Sequence, residues 1–149
     1  MALYFDCLLE SSPGSVVKCL AWHEQHAVLA VCTSLVEDDS GAVNLYDKQG
    51  VKESKTPLMH RSTPPTTAAW HPTRKLLAVG WENGEVLVWN DQEKELHEIP
   101  SLHMKALSTI TWSSNGTRLA TGDKHFLAAC VSAEKRTGHD SKTASPDNA

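Results

Sequence analysis

The sequence predicts an all-β chain built from propeller blades, and three observations carry that prediction. Three tryptophan-anchored segments align without a gap: Ala21-Trp22-His23 leading to Leu29-Ala30-Val31, Ala69-Trp70-His71 leading to Leu77-Ala78-Val79, and Thr111-Trp112-Ser113 leading to Leu119-Ala120-Thr121. In each segment the Leu follows the Trp by seven residues. The Trp residues recur at intervals of 48 and then 42, a period that with strand-like flanks indicates propeller blades.

A blade takes about 40–45 residues, and closed rings use about 4–8 blades. The 149 residues therefore hold about two and a half blades of an incomplete ring. The expected organisation is a partial propeller over residues 1–131 and a disordered tail over 132–149. Such a chain reads as the N-terminal piece of a longer propeller protein or as a truncated isoform of one.

Residues 2–9 alternate as a short strand would, with Leu3 and Phe5 on one face and Tyr4 on the other. Ser11-Ser12-Pro13-Gly14-Ser15 marks a turn. The first blade is expected from about Val16 to Asp47, with strands near 16–22, 27–33 and 42–47. It spans 24 residues from Trp22 to Tyr46, against 19 from Trp70 to Trp89 in the second blade. The extra residues fit the acidic loop Glu37-Asp38-Asp39-Ser40-Gly41, either a solvated loop or a source of binding contacts. Residues 48–65 should hold an outer strand and a loop. Pro64 and Pro65 are barred from a central strand because neither donates to a ladder.

The second blade is the clearest stretch. Thr67–Trp70, Leu76–Gly80 and Glu85–Asn90 are β-rich runs, and Asn83-Gly84 between the last two is a hairpin signal because both residues tolerate positive φ. The third blade begins with Leu107–Trp112, turns at Ser114-Asn115-Gly116 and resumes with Thr117–Thr121. Beyond Lys124 the pattern fails: Phe126 stands where the second blade has Gly84, and Val131 where it has Trp89. A strand over 125–131 stays open. From Glu134 onward there is no Val, Ile, Leu, Met or aromatic residue, too little to offset the entropy of ordering.

A net charge of −4 without a basic block argues against nucleic-acid binding, which needs clustered Lys and Arg to neutralise phosphates. The sequence begins without a basic leader, and no apolar run approaches the roughly 20 residues of a membrane span, so a cytoplasmic protein is expected. Cys7, Cys19, Cys32 and Cys130 form no Cys-x-x-Cys pair. Three lie in apolar stretches, where a reduced Cys packs as a small hydrophobe. The chain lacks a phosphate loop, a Gly-x-Ser-x-Gly elbow and a His-Glu-x-x-His run, so no catalytic residue, cofactor or metal is expected. His23 and His26 have a spacing found in ligand pairs, but His23 follows its Trp as His71 does, which favours a role in the turn.

Trp22, Trp70, Trp89 and Trp112 repeat in register and are read as core residues that fill the space between sheets. Trp81 is out of register beside Glu82-Asn83-Gly84. It is the candidate for a partner contact, with partial burial against a neighbouring blade as the competing reading.

These residues resemble WD repeats. His103 precedes Trp112 by nine positions and His60 precedes Trp70 by ten; Trp89-Asn90 and Tyr46-Asp47 stand where the Trp-Asp pair belongs, and Asn83 holds the usual turn Asp position. The resemblance implies that His60 and His103 lie between blades and bond a turn residue and a strand hydroxyl, with Asn83 as a candidate acceptor. Over residues 1 to about 124, the start Met-Ala-Leu-Tyr, Trp70-His71-Pro72-Thr73-Arg74, Leu77-Ala78-Val79-Gly80-Trp81-Glu82 and Gly84-Glu85-Val86 are similar to the N-terminus of the intraflagellar transport protein 140 family, WD-repeat subunits of intraflagellar transport complex A.

That resemblance implies a non-enzymatic scaffold whose partners are the other complex A subunits. It would act in retrograde ciliary transport and cilium assembly at the ciliary base or basal body and along the axoneme. It implies no small-molecule substrate and no direct membrane insertion. A generic cytosolic WD adaptor, a metal or thiol enzyme, and a truncated product without independent function are the competing readings.

Overall fold

The computed structural model describes residues 1–4, 6–100 and 103–125, together with the backbone of 128–132. Among the described residues, eleven strands fall into three antiparallel sheets. The first holds β1 (Ser15–Trp22), β2 (Leu29–Leu35), β3 (Gly41–Tyr46) and β4 (Met59–Arg61) in that order. The second holds β5 (Pro65–Trp70), β6 (Leu76–Trp81), β7 (Val86–Asn90) and β8 (Glu95–Ile99). The third pairs β9 (Leu107–Trp112), β10 (Arg118–Asp123) and β11 (Ala128–Ser132). Each sheet is a meander in which consecutive strands are neighbours, as propeller blades are. The strand left open near 125–131 thus forms, pairing Ala128 with Gly122 and Ser132 with Arg118.

Blades stack face to face, and the alternation of side chains along a strand decides which neighbour each residue meets. On β6, Leu77, Val79 and Trp81 join Cys32, Val43, Leu45 and Met59 of the first blade. Ala78 of β6, with Val86 and Val88 of β7, packs instead on Leu107, Ile110 and Leu119 of the third blade. The middle strands of the second blade are thus buried on both faces, which is why they read as continuous apolar runs. At about 1.5–3 kcal/mol per large apolar side chain removed from water, these two seams are the main source of cohesion.

Several expectations change. The described residues of 2–9 form no strand; Leu3, Tyr4 and Leu8 are exposed. No ladder partner lies beside them among the described residues, and a lone extended segment has its backbone solvated. What order the segment gains comes from Leu9 packing on Leu29, Val31 and Tyr46, with the Tyr46 hydroxyl donating to the Glu10 carbonyl at 3.1 Å. β2 begins two residues later than expected, and β8 was missed altogether. Pro65 is accommodated as the first residue of β5, an edge strand with a register shift between Pro65 and Thr67, the position that needs no donor.

The hairpin at Asn83-Gly84 forms with one positive φ, at Gly84 (+89°), and not two. Gly84 N–H donates to Trp81 O at 3.1 Å. This is a three-residue loop closed by a left-handed glycine, and not a two-residue mirror-image turn. The expected disorder of the tail concerns residues that, Ser132 apart, lie outside those described.

Candidate functional site

The side chains that the repeat pattern singles out converge on the seams between blades. Trp70 Nε1 donates across the first seam to the Ala21 carbonyl at 2.9 Å, and Trp112 Nε1 crosses the second to the Ala69 carbonyl at 3.1 Å. The acceptor is each time the residue before the preceding blade's Trp. Each of these blades therefore reads the backbone of the one before it through the same atoms.

A second clasp repeats beside the first. His23 Nδ1 accepts from the backbone N–H of Gln25 and His26, and His71 Nδ1 accepts from Thr73 and Arg74. Two donors at Nδ1 leave the ring proton on Nε2. That nitrogen donates 3.1 Å to the Arg74 carbonyl from His23 and 3.1 Å to the Gly116 carbonyl from His71. The rings lie against Trp70 and Trp112, with centroids 5.3 and 5.0 Å apart. Both nitrogens of His23 are engaged in these bonds, so the ring has no lone pair to offer a metal. Burial, then the Arg74 charge, hold the His71 pKa below the ordinary histidine value.

At His103 it is Nδ1 that donates. Asp123 can only accept, so His103 Nδ1 donates to its Oδ2 at 3.1 Å, and the Thr121 hydroxyl lies 2.8 Å from Nε2. All three residues are buried. The strand hydroxyl is the one the WD pattern implies, but the carboxyl acceptor is Asp123 within the third blade. Asn83 is exposed and turns its Oδ1 to the Glu85 N–H at 3.1 Å. His60 is exposed on β4 opposite Ala42 and joins no such triad, because its strand lies at the outer edge of the first sheet.

Two tryptophans depart from their expected places. Trp22 is 59% exposed: it has the register of Trp70 and Trp112, but β1 has no described blade on that side. Trp81 is fully buried and presents nothing to a partner. It lies against the first blade, where a Cβ on Gly41 would meet its ring at 2.7 Å, and its indole N–H has no acceptor among the described residues. Trp89 is half-buried and donates to Asp91 at 3.4 Å. Burial pushes the Asp91 carboxyl up, but Lys94 at 2.6 Å, the Trp89 N–H and Lys75 together hold it below the usual carboxylate value.

Two surface features remain. Trp89, Asp91 and Lys94, with Leu45, Pro57 and Leu58, line an open pocket of about 310 Å³. The loop Glu37-Asp38-Asp39 is an exposed hairpin end, with Asp39 at φ +56° and the Ser40 N–H bonded to Asp38 at 2.9 Å. Glu93, Glu95 and His97 bring ligand atoms near one another, but all three are exposed, and His97 Nε2 lies 3.8–3.9 Å from the two carboxylates, beyond hydrogen-bond distance.

Stacked antiparallel meanders of four, four and three described strands, joined by a repeated Trp and His clasp, define a WD-type β-propeller scaffold. A family model described as the IFT140 first beta-propeller matches residues 2–143. The chain belongs to that family. A chain in the crystal structure of the mitotic checkpoint complex superposes with a TM-score of 0.63 at 22% identity, over 85% of this chain and 38% of that one. At that identity the likeness speaks for the fold alone, and this chain spans well under half of the structure it matches.

Proposed function

We propose that the chain serves as a non-enzymatic docking segment of intraflagellar transport complex A, working in retrograde ciliary transport and cilium assembly through contacts with other complex subunits. The observation that carries this reading is the family match across residues 2–143. The chemistry agrees with it: the conspicuous histidines and tryptophans hold blades at fixed angles, with both nitrogens of His23, His71 and His103 engaged. Rigid blades present their loops as a fixed surface, which is what a scaffold needs. The acidic hairpin at Glu37–Asp39 and the pocket beside Trp89 are the surfaces offered to partners, at the ciliary base and along the axoneme.

Proximity labelling in ciliated cells tests this, with the chain as bait in its native sequence context. Enrichment of complex A subunits is expected, and reduced by reversing the three charges of the hairpin to Lys. Labelling confined to non-ciliary proteins would overturn the proposal.

A further inference from the structure

Cys19 on β1 and Cys32 on β2 stand directly opposite one another across the ladder, although thirteen positions separate them in the sequence. Both belong to the row that continues through Val43 and Met59, and both pack into the seam with the second blade. Neither is engaged in a disulfide. Directly opposed residues of an antiparallel pair have Cα atoms about 4.5–5.5 Å apart, inside the range of about 4.4–6.8 Å that a disulfide spans. Cys32 is fully buried, whereas Cys19 is half-exposed on an edge strand.

We propose that Cys19 and Cys32 form a peroxide-responsive dithiol, in which Cys19 is the attacking thiol and Cys32 the resolving one. The Cys19 thiolate attacks one oxygen of a hydroperoxide; the O–O bond breaks, water or an alcohol leaves, and Cys19 becomes a sulfenic acid. The Cys32 sulfur then displaces that hydroxyl as water, and the S–S bond forms. Two thiols are oxidised and one hydroperoxide is reduced. The division of labour follows from the surroundings. The neighbouring Cys32 thiol lowers the pKa of Cys19 against the opposing effect of burial, while Cys19 and burial raise Cys32. A thiolate is the nucleophile, so attack starts at Cys19. The product ties β1 to β2, and a cellular dithiol reductant reverses it.

The test treats the intact chain with graded hydrogen peroxide, alkylates the remaining thiols and maps the peptides. The expected result is loss of alkylation at Cys19 and Cys32 together, one for one, with a linked Cys19–Cys32 peptide that dithiothreitol releases. In Cys32→Ser, and in Cys32→Ala should the hydroxyl disturb the core, dimedone should instead trap a sulfenic acid at Cys19. Oxidation of the exposed Cys7 while Cys19 and Cys32 stay alkylatable would overturn the proposal. So would Cys19 linking to Cys7.

Discussion

The indole nitrogen of Trp112 lies 3.1 Å from the carbonyl oxygen of Ala69, and Trp70 holds the matching relation to Ala21 at 2.9 Å. Trp22 occupies the same place in its own segment and is largely exposed. One residue type at one register thus has two environments, set by whether a described blade lies against it.

That contrast yields a stability prediction. Trp70→Phe removes the donor and leaves the Ala21 carbonyl unpaired in a partly buried seam, at a cost of about 1–3 kcal/mol. Trp22→Phe should stay within about 0.5 kcal/mol of the parent, as exposed substitutions do. Urea midpoints at constant m-value decide it, and equal shifts for the two variants would refute the seam assignment.

His71 should make stability depend on pH. Its folded pKa lies below its ordinary value of 6.5, chiefly through burial, so between the two values the unfolded chain binds the proton and the folded chain does not. The contribution is fully present above pH 6.5 and falls as pH drops toward the lowered folded value. His71→Gln retains an acceptor and a donor without a titrating group. Unfolding series from pH 8 to pH 5 should show a shallower decline for this variant, and an unchanged slope would exclude His71 as the cause.

Gly116 meets His71 at close range: a Cβ there would collide with the imidazole ring, and its φ is +69°. Gly14 has a similar φ of +74° but nothing within 4 Å of the built Cβ. Gly14→Ala should therefore cost about 1 kcal/mol for the left-handed backbone. Gly116→Ala should cost more, adding the displaced ring. Comparable losses at both positions, read as thermal midpoints, would show that the His71 clasp yields freely.

Trp81→Ala should cost about 3–5 kcal/mol, the range for emptying a large buried site. Trp81→Phe should lose much less, because the indole N–H has no acceptor among the described residues and removing it relieves a desolvated donor. If the two variants proved equally unstable in chemical denaturation, the N–H would have a partner after all.

Sequence periodicity reveals what repeats within one strand and hides what depends on a neighbour. Trp70 and Trp112 were legible because each sits at a constant offset from Leu77 or Leu119. The burial of Trp81 was one of two readings the sequence left open, since its contact is Gly41, forty positions away in another blade. β8 escaped because Glu95 to Glu98 are solvated on the outer edge and show no apolar alternation. The histidine triad was half legible: spacing selected His103, but the choice of Asp123 over Asn83 depends on which strand folds beside it. His60 kept the spacing and lacked the surroundings.

The two repeated clasps take their acceptors from the main chain: Ala21, Ala69, Arg74 and Gly116 are each read through a carbonyl oxygen. A carbonyl is the same atom whatever residue carries it. Arginine and glycine fill equivalent acceptor positions here, so outside Gly116, where a Cβ would meet the His71 ring, the geometry between blades is indifferent to much of the rim's side-chain chemistry. Mutation can rewrite the loops that face outward without altering the angle at which the blades stand.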